Sequence, residues 1–330
     1  MSLPLLLRHP RLQPLSLRVD RAPALAWIAL QTAALWPTWV WVATRQVDGS
    51  DDPLGVLTLL ALAALVAALR RDLRCAPRLG WLMAAGVGTL AATLLRGAAP
   101  ALVSSLVAVL AWAAGLLAFL PSTRPPRWPA ARAALPPEGV LAAFGRPGGG
   151  STRRGAMRAE GGVLWPAPRL AVGRLPVLGL AVLALPLIAS LQFYAGYPLR
   201  VVTAEASRWL LAPWFAVVRE GSSLNVNGVL VIVDAPCSGV QMAWAGYFTA
   251  CAVALWAGRR DRDFALRLPL VGAAVLVGNV LRNSVLVALE AGPGAAPWLH
   301  EAVGLVALAA VCALIAWGMG RRPVTDRFCS

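Results

Sequence analysis

An all-α polytopic membrane protein of about eight transmembrane helices is the fold class the sequence predicts, with a small extracytoplasmic loop or β-hairpin before one of its later helices. Three observations predict it. Hydrophobic residues make up 58% of the 330 and charged residues only 14%, with a mean hydropathy of +0.67, too apolar for an ordinary soluble domain. Charge-free apolar runs of about bilayer length recur between short polar segments. Arginines concentrate in alternate segments, as a membrane orientation requires.

The runs fall at Ala22–Thr44, Pro53–Leu69, Leu79–Leu95, Ala98–Leu120, Leu175–Leu199, Pro236–Gly258, Leu268–Leu289 and Ala302–Gly320, the seventh with one internal charge, Arg282. The first is too long for a signal-peptide core and has no clear cleavage site, so it is expected to stay as a span. Residues 1–123 form an N-terminal four-helix half, and 175–330 a C-terminal one. Between them, residues 124–174 are rich in Arg, Pro and Gly, cannot bury a core, and read as a cytoplasmic linker.

The formal net charge is +15, carried by thirty arginines. They form no single stripe or patch, so nucleic acid is not expected as a partner; orientation in a bilayer accounts for them. The N-terminal tail, Arg70–Arg78, the linker, Arg259–Arg267 and the tail after Gly320 hold most of them and should be cytoplasmic. Arg45–Asp52, Arg96, Arg200–Ala235 and Glu290–Glu301 hold no excess and should face outward. Both termini are then cytoplasmic, in the inner membrane. Only two histidines occur, His9 and His300, which excludes a His-rich metal site. The five cysteines at 75, 237, 251, 312 and 329 have no C-x-x-C spacing, so neither a zinc site nor a disulfide framework is suggested, and no cofactor is expected.

In the outward segment 200–235, the apolar stretch Trp209–Val218 reads as an interfacial half-helix. After it, Asn227-Gly228 between β-branched residues signals a hairpin. Next comes Val233-Asp234-Ala235-Pro236-Cys237-Ser238-Gly239-Val240. Asp234 as N-cap and Pro236 as an early helical residue place the Cys237 thiol in the first turn of the sixth span. The helix dipole there favours thiolate, and Asp234 opposes it.

Two further side chains meet that thiol on the outward face. Arg282 lies roughly 12 Å below the outer end of the seventh span at 1.5 Å per residue; its insertion costs about 2.5–3.5 kcal/mol, which makes it a functional candidate by default. His300 precedes the eighth span at its outward end. Asn279, three residues before Arg282, shares its helix face. Singly each has a simpler reading: a buried cysteine, a snorkelling arginine, an interfacial histidine. Together they permit acyl transfer, with Cys237 attacking a peptide carbonyl, Arg282 stabilising the oxyanion and His300 moving the proton.

The series Arg219-Glu220-Gly221, Cys237-Ser238-Gly239, Asn279-x-x-Arg282 and His300-Glu301-x-x-Gly304 resembles the exosortase/archaeosortase family over about Leu175–Gly320, with Pro236 standing where an alanine is more usual. The resemblance implies a membrane cysteine transpeptidase of C-terminal sorting signals, with Cys237, Arg282 and His300 catalytic and Asn279, Ser238, Gly239 and Arg219 contacting substrate. It also implies an exported protein partner ending in a short motif of Pro-Glu-Pro type, an apolar helix and a basic tail. Two rival readings stand beside it: a transporter or flippase binding an anionic group at Arg282, and a non-catalytic partner in exopolysaccharide export.

Overall fold

The computed structural model describes residues 23–47, 53–121, 172–232, 238–292 and 296–321. The described residues are mostly helical, at 76%. In the N-terminal half, α1 (Ala24–Ala34), α2 (Trp36–Val47), α3 (Gly55–Ala68), α4 (Leu79–Leu95) and α5 (Ala101–Phe119) follow one another. The linker at 124–174 lies almost wholly outside the described residues. In the C-terminal half come α6 (Arg174–Leu183), a short α7 (Ile188–Leu191), a π-helical turn (Gln192–Gly196) and α8 (Tyr197–Leu211). Strands β1 (Val217–Glu220), β2 (Ser223–Val226) and β3 (Val229–Ile232) lead to α9 (Val240–Trp256), α10 (Asp261–Ala291) and α11 (Pro297–Gly320).

Three of the described helices are long and apolar enough to cross a bilayer: Ala101–Phe119, Asp261–Ala291 and Trp298–Gly320. A fourth span is available if α6 and the segment Ile188–Leu211 count as one, bent by 85°. The other runs give shorter helices for local reasons. Pro37 lacks an N–H at the start of α2, and the first run divides at Leu35. Pro186 falls in the gap between α6 and α7, and the fifth run bends there. At 1.5 Å per residue, α3 reaches only about 21 Å, short of a core of about 30 Å.

The largest core joins the two halves. Leu62 and Leu65 of α3, Leu116 and Leu117 of α5, Val177 and Leu180 of α6, Ala250 of α9, Val271 of α10 and Ile315 of α11 are all buried in it. By contrast α10 leaves Leu266, Leu270, Val277, Leu281 and Val285 exposed, and α11 leaves Leu305, Val306, Leu314 and Trp317 exposed. Two long apolar helices facing outward with such side chains are covered by lipid, and the chain is an integral membrane protein.

The predicted hairpin is present. Val226 pairs with Val229 across the two-residue turn, and Asn227 and Gly228 both have positive φ, +52° and +87°, as a type I′ turn demands. A strand the sequence did not announce, β1, completes an antiparallel sheet of order β1-β2-β3. This corrects the expected half-helix over Trp209–Val218: α8 ends at Leu211 and Val217 already pairs with Val226. Pro213 closes off the helix and β-branched Val217 and Val218 suit the strand, so the apolar stretch divides. Leu224, Val226 and Val231 pack on Ala204 and Leu211 of α8 and on Val287 of α10, which fixes the sheet at the C-terminal end of α10.

Arginine-bearing segments gather at the opposite end of the bundle. The Arg78 guanidinium donates to the Leu120 carbonyl at 3.1 Å beyond α5. Arg259 donates to Met319 O at 2.6 Å and Arg267 to Gly318 O, both at the end of α11. The Leu175 N–H donates to Asp261 at 3.0 Å, joining the starts of α6 and α10. Cationic side chains thus satisfy carbonyls that a helix C-terminus leaves without intrahelical donors.

Candidate active site

Helix α9 begins at Val240, and its N-cap is Gly239 at φ +83°. That left-handed residue cannot continue an α-helix, so the expectation of a helix running from Pro236 is corrected: the α-helix starts three residues beyond Cys237. Asp234, Pro236 and Cys237 themselves lie outside the described residues. The positive end of the α9 dipole is therefore at Val240, and its field falls off within the first turn.

Gly239 is required twice over. Its φ excludes ordinary side chains, and a Cβ there would sit 2.9 Å from both Cγ and Nδ2 of Asn279. The start of α9 therefore rests directly on the Asn279 side chain of α10. Asn279 is only 2% exposed, and its Nδ2 donates to Thr203 Oγ1 of α8 at 3.2 Å. Thr203 is fully buried. An amide shut away from water in this manner requires its hydrogen bond, so the pair ties α8, α9 and α10 at one level.

One turn further along α10 is Arg282, half-buried. Its guanidinium lies against Gly304 of α11, where a Cβ would come within 3.3 Å of Nε and Nη2. His300, also half-buried, is on α11 one turn before Gly304 and so on the same side of that helix. Arg282 is nine residues before the end of α10, about 13 Å along its axis. The antiparallel packing of α10 on α11 thus sets the two residues at comparable depth.

Ser238 closes the group. It is 2% exposed; its hydroxyl donates to Gln192 Oε1 at 3.0 Å and accepts from the Val240 N–H at 3.4 Å. Gln192 opens the π-helical turn and Thr203 follows on α8, so the bent segment after α6 supplies two buried anchors. The sequence reading missed both. A signal existed for Gln192, an amide inside an apolar run, where a polar group needs a partner.

Arg219 stands apart from this group. From β1 its Nε donates to Glu205 of α8 at 2.6 Å and its Nη1 to the Gly221 carbonyl at 2.7 Å. Glu205 also receives Arg208 Nη2 at 2.6 Å. The two guanidiniums, Arg208 first and Arg219 next, hold the Glu205 carboxyl well below its ordinary range, at about 2. Among the described residues no group of three or more His, Cys, Asp or Glu could hold a metal ion.

A polar cluster of Gln192, Thr203, Ser238, Asn279 and Arg282 among the apolar helices of an integral membrane protein is the candidate site. Residues 161–317, which hold every member of that cluster, match the family described as Transmembrane exosortase (Exosortase_EpsH), and over this part the chain is similar to that family. No curated protein and no solved structure matches it.

Proposed function

We propose that the protein is an inner-membrane cysteine transpeptidase that cleaves the C-terminal sorting signal of exported proteins, with Cys237 as nucleophile. The observation that carries this reading is the double close approach of Gly239 to Asn279 and of Gly304 to Arg282. It gathers the residue pair following Cys237, the α10 arginine and the helix bearing His300 at one level of one bundle end.

In the proposed cycle the Cys237 thiolate adds to the scissile carbonyl, and the Arg282 guanidinium stabilises the resulting oxyanion. His300 protonates the departing amine as the C–N bond breaks, leaving a thioester. An incoming amine or water then loses its proton to His300 as it attacks, the C–S bond breaks, and thiolate is restored. Arg219 borders the path of the substrate from the sheet, and the buried Asn279, Ser238 and Gly239 shape that path from behind. The substrate's own apolar helix would enter sideways from the bilayer, which sets its motif near the outer interface.

Eight spans with both termini cytoplasmic and the site facing outward remain the topology of this proposal, with the shorter helices crossing as packed or bent elements. Its support is the sorting of arginines: the Arg70–Arg78 and Arg259–Arg267 segments share the end remote from Arg282. Co-expression with a protein carrying a motif, apolar helix and Arg tail tests the reading. Cys237→Ala should abolish processing, seen as retention of the full-length substrate on a gel; undiminished processing would overturn the nucleophile.

A further inference from the structure

We infer that Gln192 is a positioning residue for the turn that follows the proposed nucleophile, acting through Ser238; the inference rests on the Cys237 reading above. Three observations converge on it. Gln192 begins a π-helical turn, Gln192–Gly196, a feature that is rare, costs regular hydrogen bonding and occurs often at functional sites. The turn belongs to the segment that bends by 85° from α6, and the bend brings Gln192 to the start of α9. There its Oε1 accepts the Ser238 hydroxyl at 3.0 Å.

Ser238 is buried and committed on both sides, since the same Oγ accepts the Val240 N–H at 3.4 Å. The first described residue after Cys237 is therefore held by one side chain from another segment. Gly196 shows how closely that side chain is fitted: a Cβ at this position would lie 2.8 Å from Gln192 Oε1. The π-turn leaves room for the amide, and the amide fixes the serine. On the other flank Asn279 supports Gly239, so the two residues after Cys237 are held by separate anchors, Gln192 and Asn279. A nucleophile must be kept within fractions of an ångström of its attack position, and such supports are what hold it there.

The chemistry predicts a loss in kcat with little change in KM, because substrate binding does not use the amide. In full-length protein reconstituted with a tripartite-tail substrate, Gln192→Met removes the acceptor at similar volume and Ser238→Ala removes the donor. Each should lower kcat about tenfold, and the double variant should be no slower than either single, since both changes break one link. Gln192→Glu keeps an acceptor oxygen and should retain more rate than Gln192→Met. Wild-type rates in the single variants, or losses that multiply in the double, would overturn the inference. Should Gln192→Met fail to accumulate in membranes, Gln192→Ala replaces it: its loss alone with no further loss in the Ser238→Ala background supports the link, and multiplied losses sink it. Cys237→Ala run alongside separates the two claims. If that variant still processes substrate, the proposed function fails; if it is inert while the Gln192 and Ser238 losses multiply, only the positioning role fails.

Discussion

Arginine is used in opposite ways at the two ends of this bundle. At one end Arg78 donates to the carbonyl just past α5, and Arg259 and Arg267 donate to carbonyls in the last turn of α11. Those carbonyls are a helix's own unfinished business, and Arg259 closes one while only 5% exposed. At the other end Arg282 sits within α10, nine residues from its terminus, with its guanidinium against a glycine of the neighbouring helix. A helix interior has no spare carbonyls to cap. The difference teaches that burial alone does not separate a capping arginine from a candidate site arginine; position along the helix does.

That contrast can be broken most directly by truncating an arginine at each end. Arg282→Ala should cut processing by about 10²–10³-fold, the cost of removing one oxyanion donor, with little change in thermal stability. Arg259→Met should leave processing intact but remove about 1–3 kcal/mol by orphaning the Met319 carbonyl, read as a lower melting temperature in detergent. If both variants lose only stability, the distinction between the ends collapses.

Gly239→Ala sharpens the site end. Left-handed backbone at a non-glycine residue costs about 1–3 kcal/mol, and the added methyl must also displace Asn279. Processing should fall about tenfold or more, since each 1.4 kcal/mol is a factor of ten, whereas alanine at Gly86, which has open space around it, should be neutral. Equal activity in the two variants would show that the start of α9 does not need its observed shape.

The smallest effect lies at the sheet. Glu205 titrates near about 2 in the folded protein against an ordinary 4.5. A carboxyl whose pKa is depressed on folding contributes stability above its unfolded value, and that contribution disappears as pH falls through the folded one. The wild-type melting temperature should therefore drop between pH 4.5 and about 2, and Glu205→Gln should flatten that part of the curve. Because the ion pairs are exposed and screened, the change should be slight; an unaltered acid limb would mean the clasp between β1 and α8 adds nothing.

Much of the candidate site's composition stands out in the sequence because its members violate the expectations of an apolar chain. Arg282 and Asn279 interrupt a span, His300 is one of two histidines, and Gly304 falls one helical turn after it. The Asn227-Gly228 hairpin was legible because its turn type is dictated by two adjacent residues. Trp209–Val218 was misread for the converse reason: whether a short apolar stretch is helix or strand depends on its partner, here β2. Gln192 and Thr203 went unnoticed because a polar residue in an apolar run gains meaning only from what it meets.

Composition, run lengths and arginine placement determined by themselves that this chain is helical and lies in a membrane, since those properties follow from the cost of exposing apolar surface to water and burying charge in lipid. Only the tertiary structure decided that the bent fifth run brings Gln192 to Ser238, that β1 joins the hairpin, and that Asn279 and Arg282 each meet a glycine from another segment. Those outcomes depend on contacts between residues tens of positions apart, and no local propensity encodes a distance across the bundle.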